Sequence, residues 1–229
     1  MILVLFLKLY HKTLKNSIFQ HFLNKTLCHF IDTIGSIDDL IEHKLLLLDK
    51  LEQLEKNLYL KECLNKDKFS LLDRLQFIKG KKPKNFTDNG IDYLTIDALE
   101  NGNLTYTNDE KLVYCKTNDI LMVMDGASSG KVYIGYNGVV GSTLAKIKTN
   151  INPYYLYIYL KNNYKNIREH NIGSAIPHTN KDIIYTLKIS NNTISNEIYN
   201  FLLNTRINLN IEIIHLKSLK TSYLKKFFG

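Results

Sequence analysis

The sequence predicts an α+β fold, a mixed and β-rich module flanked by two long helices. Two observations predict it. Ser36 to Cys63 and Ser195 to Phe228 carry apolar residues at alternating spacings of three and four, the seam of paired helices. Between them, short runs of β-formers are separated by Asn, Asp, Gly and Ser turns.

The first long helix begins at Ser36, which suits an N-cap, with Asp38 and Asp39 in the first turn where carboxylates favour the helix dipole. Its seam is Ile37, Leu40, Leu47, Leu51, Leu54 and Leu58; Lys44 interrupts it, and Leu45, Leu46 and Leu48 widen the apolar face. At about 1.5 Å per residue the helix is on the order of 40 Å long, and so broad a stripe needs a partner helix. The second seam is Ile198, Leu202, Leu209, Leu216, Leu219 and Tyr223, with Thr205 and Glu212 as polar intrusions.

Ahead of the first helix, Met1 to Leu7 (MILVLFL) reads as core, in the form of a strand. Leu5, Leu9, Ile18, Phe22, Phe30 and Ile34 line one side of helical segments. Within the module, Asp88 to Gly90 is a hairpin-type turn, Ile91 to Ile96 a strand and Glu100 to Asn103 a turn. LVYC, DILMVM, KVYIGY and TLAKIK follow as short strands. Asn152-Pro153 starts a tyrosine-rich helix, Ile172 to Asn180 is a polar loop, and Ile183 to Ile189 is a closing strand. The tyrosines at 154, 155, 157 and 159 read as helix packing.

A faint internal repeat runs through the chain. Phe6 to Ile18 resembles Tyr155 to Ile167, and His21 falls opposite His170. Ile37, Ile41, Glu42, Leu46 and Lys50 match Ile207, Ile211, Glu212, Leu216 and Lys220. The chain thus reads as one complete unit preceded by the tail of a shortened one.

Composition narrows the function classes. The 229 residues are 45% hydrophobic and 11% aromatic, which excludes a mostly disordered chain. A net charge of +8 suits nucleic acid or an acidic membrane surface, without choosing between them. Three scattered cysteines (Cys28, Cys63, Cys115) oppose a disulfide framework or zinc site and suit a reducing cytosol. The apolar start is far short of the roughly 20 residues a membrane helix needs and lacks signal-peptide features. A soluble, cytoplasmic protein without membrane partners is expected.

No catalytic centre emerges. GASSGK (Gly126 to Lys131) has three residues between its glycines and Val132 after the lysine, so it is not a phosphate loop. The histidines form no metal-ligand spacing. Binding features are stronger. Lys79, Lys81, Lys82 and Lys84 cluster at one turn; Ser128, Ser129 and Lys131 occupy a second. Asn171, Ser174, His178, Thr179, Asn180 and Lys181 lie in the polar loop. These are residue types that contact phosphates and base edges, so they are candidate DNA-binding positions.

These residues resemble a known family. IKGKKPKNFTDNGIDYLTIDAL, NDILMVMDGASSGKV, GSTLAKIK and GSAIPHTNKDI, with the flanking helices, are similar to the specificity subunit of type I restriction-modification systems, over roughly residues 36 to 229. The resemblance implies a half-length form. Residues 1–35 are then the remnant of a truncated recognition domain and 36–64 a spacer helix. Residues 65–192 form one complete target recognition domain, and 193–229 a second spacer helix. It also implies that the two helices pair as an antiparallel coiled coil. The expected role is non-catalytic: to bind double-stranded DNA and direct a modification methyltransferase subunit, and indirectly a restriction subunit, to a target. S-adenosylmethionine is expected on the methyltransferase, with no cofactor or metal here. The half-length form is compatible with a homodimer, a single arm or a silent cassette. A coiled-coil adaptor for another protein is the rival reading; it gives the basic loops no role.

Overall fold

The computed structural model describes residues 18–64, 67–109, 111–173, 175–191 and 194–228. The readings of the first seventeen residues, including the expected strand and the first half of the repeat, lie outside them. The chain divides into two compact units, Leu51–Ile207 and the described parts of residues 1–50 and 208–229.

Helix α1 spans Ile18–Cys63, and so does not begin at Ser36. The Gly-Ser pair that reads as a start is surface on a continuing helix. Thr33 and Ser36 donate their hydroxyls back to the carbonyls of His29 and Asp32, at 2.7 and 2.8 Å. A side chain at Gly35 would meet nothing within 4 Å. The module follows as β1 (Lys68–Ser70), β2 (Leu75–Lys79), β3 (Ile91–Leu94), α2 (Ile96–Asn101), β4 (Thr105–Thr107), β5 (Tyr114–Cys115) and β6 (Ile120–Val123). Then come β7 (Val132–Tyr133), β8 (Gly138–Val140), β9 (Leu144–Thr149), α3 (Pro153–Asn162), α4 (Tyr164–Glu169), α5 (Lys181–Thr186) and β10 (Lys188–Ser190). Helix α6, Asn196–Phe228, closes the chain.

In the unit holding the helix ends, α1 and α6 run antiparallel. Lys44 pairs with Glu212 at 2.7 Å, Asp38 with Lys220, and Phe30 stacks against Phe227. Phe30, Ile34 and Ile37 of α1 are buried, as are Leu209 and Ile213 of α6.

The seams share half their positions with the expected ones. Ile37, Leu51, Leu202 and Leu209 are buried, and Leu58 and Leu216 half-buried. Leu40, Leu47, Leu54, Ile198, Leu219 and Tyr223 are exposed. The alternate positions lie one residue further on, at Ile41, Leu48 and Glu55 in α1 and at Tyr199, Arg206, Ile213 and Lys220 in α6. Thr205 and Glu212 therefore do not intrude on a seam. Both lines include charged residues that an apolar count skips, Glu55 in α1 and Arg206 and Lys220 in α6.

In Leu51–Ile207, β6 is buried on both faces. Ile120 and Met122 enter one core with Leu156, Ile158, Leu160 and Tyr199, while Leu121 and Val123 enter another with Leu94, Leu99 and Val140. That accounts for an unbroken apolar run where a half-exposed strand would alternate. Two four-stranded sheets result, ordered β2-β9-β6-β7 and β4-β3-β8-β5, with β1 and β10 pairing separately.

The Asp88–Gly90 signal makes no hairpin, because β2 pairs with β9 while β3 pairs with β4 and β8. Ile91–Ile96 is a strand only to Leu94; Thr95 then caps α2, and Gly102 ends it at φ 77°. The expected strand from Ile183 starts as a helix, because the Asn180 side chain accepts from the Asp182 amide and caps α5. The tyrosines of α3 are all buried and pack as read.

A buried ion pair joins the helices inside this unit. Arg206 Nη2 lies 2.7 Å from Glu55 Oε1, and the hydroxyl of Tyr154 donates to the same oxygen. Glu55 is 1% and Arg206 8% exposed. Burial acts to lower the Arg206 titration, but the neighbouring negative and phenolic groups overcome it and hold it up. Arg206→Met leaves the buried Glu55 with only the longer Lys161 contact and the Tyr154 hydroxyl, so urea unfolding should show about 3 kcal/mol lost, and Glu55→Met with Arg206→Met should restore much of it. Along the seam, Ile213→Ala should cost about 2–5 kcal/mol and Ile214→Ala about 0.5 or less, and equal losses would contradict the register.

Candidate nucleic-acid interface

The sheets bring the two glycine-punctuated signatures together. The β6–β7 turn around Gly126 docks on the 171–180 loop through a bond from the Gly126 amide to Pro177 O at 2.9 Å. The Thr179 amide bonds Met124 O at 2.8 Å, and its hydroxyl donates to Val123 O at 2.6 Å. Ser129 lies 2.6 Å from Gly126 O and 2.8 Å from Pro177 O, and its own carbonyl accepts from Asn171.

This docking corrects part of the expected surface. Ser129 and Thr179 are buried at 0% and 5% exposure, so they hold the two loops together and present nothing to a ligand. Asn180 caps α5, and Asn171 is tied to the turn. Ser128 is half-buried. Ser174 lies outside the described residues. Spacing alone does not show that two polar loops will face each other.

The lysines divide in the same way. Lys79 and His178 both bond Asp125, each at 2.7 Å and to different carboxylate oxygens. Burial acts to raise the Asp125 titration, but the bonds from Lys79 and His178 outweigh it and hold the carboxyl below its ordinary range. Lys131 pairs with Glu100 at 2.6 Å and lies over the Tyr133 ring. Lys181 is exposed and lies over the Phe77 ring.

Lys81, Lys82 and Lys84 are exposed and in no ion pair with a described carboxylate. Gly80 starts this stretch because a side chain there would strike the carbonyls of Val140 and Gly141, 2.2 and 2.3 Å away. Pro83 is buried, which leaves the flanking lysines outside.

Lys81 and Lys84 line an open cleft of about 760 Å³ with Asn85, Thr87, Asn108 and Lys111. Thr107, fully buried, braces the floor by donating to Asn85 O at 3.1 Å. Thr87 bridges to Tyr106 of β4. Asp109 also borders the cleft, and its carboxylate accepts from the Lys111 backbone amide at 3.3 Å. Lys111 and Asn108 escape a sequence reading, because β4 and its following turn are about twenty residues away and only the sheet brings them here.

Among the described residues, no group of three or more His, Cys, Asp or Glu side chains could hold a metal ion. Burial and the Asp119 charge push the Cys115 thiol up to about 12, so it is not a reactive nucleophile. No described helix is long and apolar enough to cross a membrane.

The fold and the cleft together define a helix-flanked binding module with three exposed lysines, Lys81, Lys84 and Lys111, lining one open surface. The model of the type I restriction modification DNA specificity domain matches residues 64–202, and the chain belongs to that family. The chain is 31% identical over 128 residues to the type I restriction enzyme MjaVIII specificity subunit of Methanocaldococcus jannaschii, covering 51% of this chain and 30% of that protein. The crystal structure of a type I restriction-modification S subunit from M. genitalium matches at a TM-score of 0.64 and 16% identity, over 89% of this chain and 60% of that one. That is a likeness of fold. The chain spans less than two thirds of either relative.

Asp125 should act as the latch between the loops. Its depressed titration contributes stability that is present above the ordinary carboxylate pKa of about 3.9 and is lost as pH falls through the lower folded value. Relative to the intrinsic rate at each pH, hydrogen exchange at the Gly126 and Thr179 amides should therefore stay slow from pH 7 to 5 and quicken at the acid end. Asp125→Asn should quicken it throughout; no change would assign the docking to the Ser129 and Thr179 bonds alone.

Proposed function

We propose that this chain is a non-catalytic DNA-reading subunit that directs a type I modification methyltransferase to its target. The observation that carries the reading is the cleft, where lysines free of described carboxylates line a surface in a member of the specificity-domain family. Phosphates attract such cations by Coulomb force and counterion release, and the fixed sheet floor gives them a defined register. The chain itself would hold no cofactor; S-adenosylmethionine would belong to the methyltransferase, and a restriction subunit would join through that complex in the cytoplasm.

Leu40 and Leu47, seven residues apart, share one exposed side of α1 that a partner would cover. We assign that face to the methyltransferase. One module reads one part of a site, and a second copy of the chain would supply the other part of a bipartite target.

Duplex binding by the full chain, co-expressed with its methyltransferase, tests the reading. Affinity should fall steeply with salt, and Lys81→Ala or Lys84→Ala should weaken binding to all sequences alike and reduce the salt slope by about one each. Lys131→Ala, which removes a lysine already paired, should change the slope little. Salt-independent binding, or none in the presence of the partner, would favour the adaptor reading.

A further inference from the structure

Two asparagines of the cleft stand apart from many of the module's others. Elsewhere asparagine amides serve the fold: Asn152 and Asn180 cap helices, Asn101 and Asn103 bond Asp97, and Asn171 bonds Ser129. Asn85 and Asn108 are exposed, and their carboxamides make no hydrogen bond with any described residue. Yet both sit on braced backbone. The Asn85 carbonyl receives the Thr107 hydroxyl, and Asn108 follows Thr107 directly.

Asn108 is also packed onto a glycine. Gly90 has φ 139°, and a side chain there would lie 2.3 Å from Asn108 Oδ1. The turn that reads as a hairpin signal thus makes a seat for the Asn108 amide. A free amide seated in the same cleft as Lys81, Lys84 and Lys111 has both a donor and an acceptor to offer, with cations lining the surface around it. Adenine presents the matching acceptor and donor, N7 and the N6 amino group, at its major-groove edge, and an asparagine amide meets both at once.

We infer that Asn108, supported by Asn85, reads an adenine in the major groove while the cleft lysines hold the flanking phosphates. The inference rests on the DNA-reading role proposed above. It separates two jobs within one cleft: the lysines set affinity, and the amides set preference.

Selection from a randomised duplex pool, using the full chain with its methyltransferase, tests it. The wild type should enrich an adenine at one or more positions, and Asn108→Ala should reduce one of those preferences about tenfold while leaving the salt slope unchanged. Asn108→Asp should move the preference at that position towards cytosine, whose amino group a carboxylate accepts. Asn85→Ala should weaken the same position less. If the wild type selects a sequence and the Asn108 variants select the same one with the same stringency, the inference is overturned and DNA reading stands. If the wild type binds no DNA, both are overturned. The Asn108 side chain is exposed, so these variants should fold; thermal melting matched to the wild type confirms it.

Discussion

The buried pair of Glu55 and Arg206 is the constraint on which the packing of the helices inside Leu51–Ile207 depends. A carboxylate and a guanidinium have been taken from water on two helices far apart in sequence, and each is the other's shortest charged partner. Tyr154 completes the group by donating to Glu55, which brings in α3, whose apolar residues fill the main core. Lys161 extends it, pairing with Glu52 at 2.9 Å and approaching Glu55 at 3.4 Å. An apolar contact at this point would tolerate sliding along the helices. A hydrogen-bonded charge pair has one low-energy register, so α1, α3 and α6 meet in one arrangement.

That pair also explains what was legible in the sequence and what was not. The long helices, the β-rich module between them, the Asn152-Pro153 helix start and the packing role of the tyrosines follow from local pattern. The seam register does not, because Glu55 and Arg206 are the residues that hydrophobic counting rejects. Leu54 and Ile198 look like better seam members, and both are exposed. Start signals failed where a local bond outranked them: Ser36 returns its hydroxyl to the helix, and Asn180 turns a β-like stretch into α5.

The candidate site was legible in its lysines and not in its division of labour. Fold geometry sorts the polar residues into those that hold loops together and those that remain available. Ser129, Thr179, Asn171 and Asn180 face inward or cap, whereas Lys81, Lys82 and Lys84 stay outside beside a buried proline. Asp125 and Glu100 neutralise the neighbouring lysines Lys79 and Lys131, whereas Lys81, Lys84 and Lys111 at the cleft pair with no described carboxylate. The cleft's other half comes from the turn after β4, supplied by strand pairing and invisible to spacing.

The central claim is that this cleft is where DNA lies. Lysine acetylation footprinting of the full chain with its methyltransferase, with and without duplex DNA, tests it most directly. The account predicts that DNA protects Lys81, Lys84 and Lys111 while Lys165, exposed on α4, reacts equally in both states. Protection spread evenly over the exposed lysines, or confined to sites outside the cleft, would contradict it.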